Sequence, residues 1–123
     1  MPSRQIYRFK KLRVWESARR LVSSVYKATR AFPCSEICAL TSQTNRAAVS
    51  VAANLAEGSS RTSRKDRGQF SQIAYGALME LSCLLILAVD LGFLLAEHES
   101  ALRMEIKSVS RQLNALRVTQ VSS

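Results

Sequence analysis

Apolar positions recur with a helical period in four stretches of the chain. Over residues 12–31, Val14, Ala18, Leu21, Val22, Val25 and Thr29 fall at i, i+4, i+7, i+8 and i+11 spacing, which predicts an amphipathic helix. Phe32-Pro33 ends it, because proline pushes the preceding residue out of the helical region. Over residues 35–57, Leu40, Thr44, Ala47, Ala48, Val51 and Leu55 form a second stripe. The small residues Ala47, Ala48, Ala52 and Ala53 predict close approach by a neighbouring helix, and the first turn, residues 34–39, is expected to be irregular. Gly58 follows at the place where a helix commonly stops on a residue of positive φ.

A polar connection leads into the third stretch, residues 64–91. Ser63, with Asp66 three residues on, has the form of a capping box: the hydroxyl serves an orphan amide and the acid suits the positive end of the helix dipole. Phe70, Ile73, Ala74, Ala77, Leu78, Leu81, Leu84, Leu85, Ala88 and Leu91 make the core stripe, with Gly92 as the stop. Met79, Ile86, Leu87 and Val89 render the second half apolar nearly all round. A small four-helix domain cannot cover every side of one helix, so these four residues are the candidate oligomer interface.

The fourth stretch, residues 96–118, sets Leu102, Ile106, Val109, Leu113 and Leu116 at 4-3-4-3 spacing, like a coiled-coil seam. Glu97 and Glu99 near its start and Arg111 and Arg117 near its end match the helix dipole. Connections this short make neighbouring helices antiparallel. The expected fold is all-α, one antiparallel up-down-up-down four-helix bundle over residues 1–123 that associates with copies of itself.

Composition agrees with this reading. Hydrophobic residues make up 47 % of the chain, with 4 Gly and 2 Pro, which excludes a disordered chain and disfavours a many-stranded β-fold. The basic start is followed by no apolar run, so it does not read as a signal peptide. The apolar residues 81–95 contain Asp90, follow Glu80 and fall short of the ~20 that a membrane span needs. Three cysteines, Cys34, Cys38 and Cys83, form no disulfide framework and suit reduced thiols. The expected setting is the cytoplasm, without membrane partners.

Charge adds a direction. The net charge is +9, and residues 1–67 hold 14 Lys and Arg against 4 Asp and Glu, a balance of +10. Residues 68–123 balance to −1. Arg13, Arg19, Arg20, Lys27 and Arg30 line the first helix, with Arg4, Arg8, Lys10 and Lys11 leading into it. Arg61, Arg64, Lys65 and Arg67 cluster in the turn before the third helix, where backbone amides also favour anions. Such a surface would meet nucleic acid through its phosphates, selecting shape or charge rather than sequence. Aromatic residues at 7 % offer few stacking platforms.

No catalytic set emerges. His98 is the one histidine, flanked by Glu97 and Glu99 as a solvated position would be, and a di-iron bundle needs paired Glu-x-x-His motifs. Ribonucleases of the HEPN kind place an arginine a few residues before the histidine, whereas the nearest upstream arginine here is Arg67. Cys34 and Cys38 are a weak zinc signal without a second pair. Neither enzymatic activity nor a cofactor nor a metal is expected. Asn54, Glu57, Gly58 and Glu80 form a polar motif with two readings: a capping and register network, or a small-ligand site within the bundle.

Several motifs carry a resemblance. Phe9-x-x-Leu12-x-Val14-Trp15, then Phe32-Pro33-x-x-Glu36, then Leu40-Thr41-Ser42-Gln43-x-x-Arg46-Ala47-Ala48-Val49-Ser50-Val51-x-x-Asn54-Leu55-Ala56-Glu57-Gly58 resemble the four-helix-bundle proteins encoded in intervening sequences of bacterial 23S ribosomal RNA genes. Phe70, Ile73-Ala74, Glu80-Leu81 and Leu91-Gly92 continue the match, which covers roughly residues 6–116. The resemblance implies a ring-shaped homopentamer. It also implies kinship in form with the accessory protein of diversity-generating retroelements, a basic pentamer that binds nucleic acid and its reverse transcriptase. Arg46, within the motif, is a further candidate nucleic-acid contact. Ala52-Ala53 departs from the proline-containing pair of that pattern, which should straighten the helix, and Thr44-Asn45 lowers the charge near Arg46. The expected function is a non-enzymatic, homo-oligomeric basic scaffold that binds nucleic acid, RNA before DNA. The alternatives are an adaptor docking on a nucleic-acid enzyme such as a reverse transcriptase, or a small-ligand-binding bundle.

Overall fold

The computed structural model describes residues 7–121, which form four helices: α1 (Arg13–Thr29), α2 (Leu40–Ser59), α3 (Arg64–Asp90) and α4 (Ala96–Val121). Single 3₁₀ turns, Arg8–Lys11 and Cys34–Glu36, precede α1 and α2. No strand occurs among the described residues, and the fold is all-α. α1 packs on α2, α2 on α3, α3 on α4, and α4 returns to α1, which makes a four-helix bundle.

The core follows the helical periodicity. Val14, Ala18, Leu21, Val25 and Thr29 of α1 are buried, as are Leu40, Thr44, Ala47, Ala48, Val51 and Leu55 of α2. α3 contributes Leu78, Leu81 and Leu85, and α4 contributes Leu102, Ile106, Val109 and Leu113. Each fully enclosed leucine stabilises the fold by about 2 kcal/mol through removal from water. Polar bonds tie α1 to its neighbours: Ser24 Oγ donates to Glu105 Oε1 at 3.0 Å, Gln112 Nε2 donates to Ser17 Oγ at 2.9 Å, and Thr29 Oγ1 donates to Asn45 Oδ1 at 2.9 Å. Two residues assigned to the core stripe face outward: Ile73 lies one position before the buried Ala74, and Leu91 caps the open end of α3.

The helix ends show where local chemistry decides. Ser63 Oγ accepts the Asp66 N–H at 3.1 Å, as its spacing predicts. Gly92 has φ +80 and ends α3; its N–H reaches Val89 O, and the Phe93 N–H reaches Ala88 O, the paired bonds of a Schellman motif. α2 starts at Leu40 rather than near residue 35, because the turn after Pro33 is 3₁₀ and the first free amide, on Leu40, donates to Glu36 Oε1.

Gly58 corrects the expectation of a positive-φ stop. It is buried inside α2, and a Cβ there would stand 2.8 Å from Phe70 Cβ. Its role is close packing of α2 on α3. The hydroxyls of Ser59 and Ser60 donate to the carbonyls of Ala56 and Glu57, so the helix end is satisfied without a left-handed residue.

Candidate nucleic-acid interface

α1 buries one face, so its remaining surface falls to side chains that tolerate water. Arg13, Arg20 and Lys27 recur every seventh residue and stack along one exposed stripe; Arg19 and Arg30 are exposed beside them. Glu16 is the one acid on α1, and it lies 3.5 Å from both Arg19 and Arg20. One carboxylate shared between two guanidiniums leaves the face strongly positive. Arg8, Lys10 and Lys11 extend it as exposed residues of the preceding turn. Arg4 lies outside the described residues.

In the α2–α3 connection Arg61 is exposed, and in the first turn of α3 Arg64 and Lys65 are exposed and Arg67 is half-buried. Arg61 is committed elsewhere: it pairs with Glu57 Oε2 at 2.7 Å and lies over the Phe70 ring at 4.9 Å. Arg67 Nη1 donates to the carbonyls of Arg61 and Thr62, both at 3.1 Å, and so ties the turn together. Arg46 is exposed on α2 and shares a shallow cleft with Gln43, Ser50 and Glu80.

Three aromatic residues join this surface in a way that spacing alone does not reveal. Tyr7 stacks on Phe9 with ring centroids 5.4 Å apart, Phe9 tilts against Trp15 at 4.7 Å, and the Arg19 guanidinium lies 5.5 Å from the Trp15 ring. Tyr7 is exposed next to Arg8. The only hint in the sequence is the Phe9 and Trp15 pair of the family-like motif.

The polar motif does not form an enclosed site. Asn54 Nδ2 donates to Ser50 O at 2.9 Å and Ser50 Oγ at 3.0 Å, within α2 itself. Glu57 and Glu80 are both exposed, and Gly58 serves helix packing. His98, Cys34, Cys38 and Cys83 are exposed, and no cluster of three His, Cys, Asp or Glu able to hold a metal occurs among the described residues.

Of the apolar residues assigned to an interface, Met79, Ile86 and Leu87 are 41 %, 52 % and 43 % exposed. Val89 instead packs against the core, since it lies one residue from the fully buried Ala88 near the end of α3. Ile73, Leu91, Leu95 and Met104 are additional exposed apolar residues. By length and composition α3 is apolar enough to cross a membrane, although the stripe through Ala74, Leu78, Leu81 and Leu85 packs within the bundle.

Glu99 is buried near the start of α4 and accepts hydrogen bonds from Arg103 Nε, at 3.1 Å, and Nη2. That hydrogen bonding holds the Glu99 carboxyl below the usual carboxylate range; burial opposes the shift and the charge of Arg103 reinforces it.

No curated protein matches the chain in sequence. The family model for the 23S rRNA-intervening sequence protein matches residues 10–115, nearly the whole bundle, and the chain belongs to that family.

Proposed function

We propose that the protein is a non-enzymatic, homo-oligomeric scaffold that binds nucleic acid, structured RNA before DNA, through phosphate contacts. The observation that carries this reading is the α1 surface, where Arg13, Arg19, Arg20, Lys27 and Arg30 stand against Glu16 alone. Neutralised phosphates release counterions, so such a face gains affinity from any polyanion whose backbone follows it. Shape rather than base identity then selects the partner, which favours folded RNA. Exposed Tyr7 adds one stacking surface beside the cations.

Assembly is the second part of the reading. An antiparallel up-down-up-down arrangement is supported by the Ser17–Gln112 and Ser24–Glu105 bonds: seven residues forward on α1 correspond to seven back on α4. Two unlike apolar surfaces support self-association. One carries Met79 and Ile86 beside Ile106; the other is a groove lined by Trp15, Val49, Ala52 and Ala56. Unlike surfaces joined head to tail close into a ring, and five is the number that the family resemblance implies. A ring repeats the α1 face around its circumference. Three free, exposed cysteines suit a reducing compartment, hence the cytoplasm.

Fluorescence anisotropy with a labelled, structured RNA tests the function. Affinity should fall linearly with the logarithm of salt concentration, and replacing Arg13, Arg20 or Lys27 by alanine should each lower that slope by about 1. Binding that is absent at low salt, or indifferent to salt, refutes the proposal. Capture of a polymerase or reverse transcriptase that survives nuclease, with no RNA affinity, would replace it with an adaptor role.

A further inference from the structure

The lead-in to α1, the end of α2, the start of α3 and the end of α4 surround a cavity of about 390 Å³. That volume lies within the ~300–1,000 Å³ of small-molecule sites. Its floor is apolar, made by Leu12, Leu55 and Leu116. Its charge is one-sided: Arg8, Arg64 and Arg67 line it, and no carboxylate does among the described residues. Arg8 Nη1 reaches Ser59 O at 3.4 Å. The two carbonyls bonded to Arg67 Nη1 fix that guanidinium, and its Nε and Nη2 donate to nothing among the described residues.

One polar group in the same cavity lacks a partner: Gln120 Oε1 is buried and makes no hydrogen bond among the described residues. Ser71, 3 % exposed as a residue, lines the same space and adds a hydroxyl. Buried polar groups are ordinarily satisfied, so Gln120 marks a place where a ligand's hydroxyl or amine relieves a desolvation cost. Guanidiniums for an anion, hydrogen-bonding groups for a polar ring and an apolar floor for its face occur together here.

We propose that this cavity binds a nucleoside monophosphate, either free or as the phosphorylated end of an RNA strand. The arginines engage the phosphate, Ser71 and Gln120 engage hydroxyl or amine groups, and the leucines contact the base. The free-nucleotide form is independent of the RNA scaffold; the strand-end form rests on it.

Isothermal titration of the full chain with adenosine 5′-monophosphate, adenosine and inorganic phosphate tests the proposal. The monophosphate should bind at least about tenfold more tightly than adenosine, the loss expected for a charge-assisted hydrogen bond. Arg64→Gln, at an exposed helix start, and Ser71→Val should each weaken it by a similar factor, with thermal melts reporting that the variants fold. Arg13→Ala with Arg20→Ala should leave this affinity unchanged, so failure of the RNA reading and failure of the cavity separate cleanly. A preference for 5′-phosphorylated over 5′-hydroxyl RNA supports the strand end; equal RNA binding with retained monophosphate binding supports the free nucleotide. Equal affinity for adenosine and its monophosphate overturns the proposal. So does an affinity unmoved by both variants, or no binding of any probe.

Discussion

Gly58→Ala sets helix propensity against helix packing, and the geometry says which wins. On a solvated helix the change stabilises by about 0.5–1 kcal/mol. At Gly58 the added Cβ would stand 2.8 Å from Phe70 Cβ, 3.6 Å from Arg67 O and 3.7 Å from Phe70 Cγ. Carbon atoms in contact prefer about 3.5–4.0 Å, so α2 and α3 must part by roughly 1 Å. A Cβ cannot rotate out of the way, and the strain therefore reaches the backbone. Overpacking of this kind costs about 2 kcal/mol at the middle of its range, which leaves a net loss of about 1.2 kcal/mol. In a chain of 123 residues that lowers the melting temperature by about 4–6 °C. Gly68→Ala and Gly76→Ala are the matched controls: both sit in α3, an added Cβ meets nothing within 4 Å, and each should stabilise by about 0.5–1 kcal/mol. Thermal and urea unfolding followed by circular dichroism reads all three. A Gly58→Ala protein as stable as the wild type or more so refutes the close-contact argument.

Ile86→Glu or Leu87→Glu should reduce the assembly toward the 13.7 kDa protomer in light scattering while retaining most helix content; a wild-type protein that is already monomeric at micromolar concentration refutes the interface. Leu85→Ala, at a fully buried position, should cost about 3 kcal/mol in urea unfolding, and a loss below about 1 kcal/mol would show that the site is not enclosed. Glu99 gives a pH dependence of known sign. Its folded-state carboxyl is held below the ordinary value of 4.5, so its contribution is present above that pH and is lost as pH falls through the lower folded value. Glu99→Gln should therefore flatten the melting temperature profile below pH 4.5, and an unchanged slope would refute the Arg103 pairing.

Helical periodicity made the four helices legible, together with nearly all of their buried stripes, because a single apolar face has only one way to turn inward. It said less about the shoulders of those stripes. Ile73 and Val89 lie beside the α3 stripe, and which shoulder meets a neighbour depends on how the helix is rotated in the bundle. Glycine was ambiguous for a related reason. Gly58 and Gly92 both looked like stops, yet one supplies a positive φ and the other supplies room for Phe70, and sequence records only the missing side chain. The basic face of α1 was readable, since exposed charge and apolar stripe alternate along the same helix. The Tyr7–Phe9–Trp15 stack was not, because a short 3₁₀ lead-in has no long repeat to betray its geometry. The cavity was hidden altogether: its lining comes from the lead-in to α1 and from three helix ends that are distant along the chain.

The unequal lengths of α1 and α4 leave one end of the bundle open to change. Ser17 of α1 meets Gln112 of α4; α1 begins four residues before that contact, whereas α4 runs nine residues past it. The difference is five residues, about 7.5 Å of α4 with no turn of α1 beside it. The Arg8–Lys11 turn packs on α1 and α2, and its Arg8 lines the cavity at that end. Drift in that short lead-in therefore reshapes the cavity without disturbing the packed interior. The mouth of the cavity can thus change while the buried leucines of the bundle stay fixed, much as a tool keeps its handle and changes its bit.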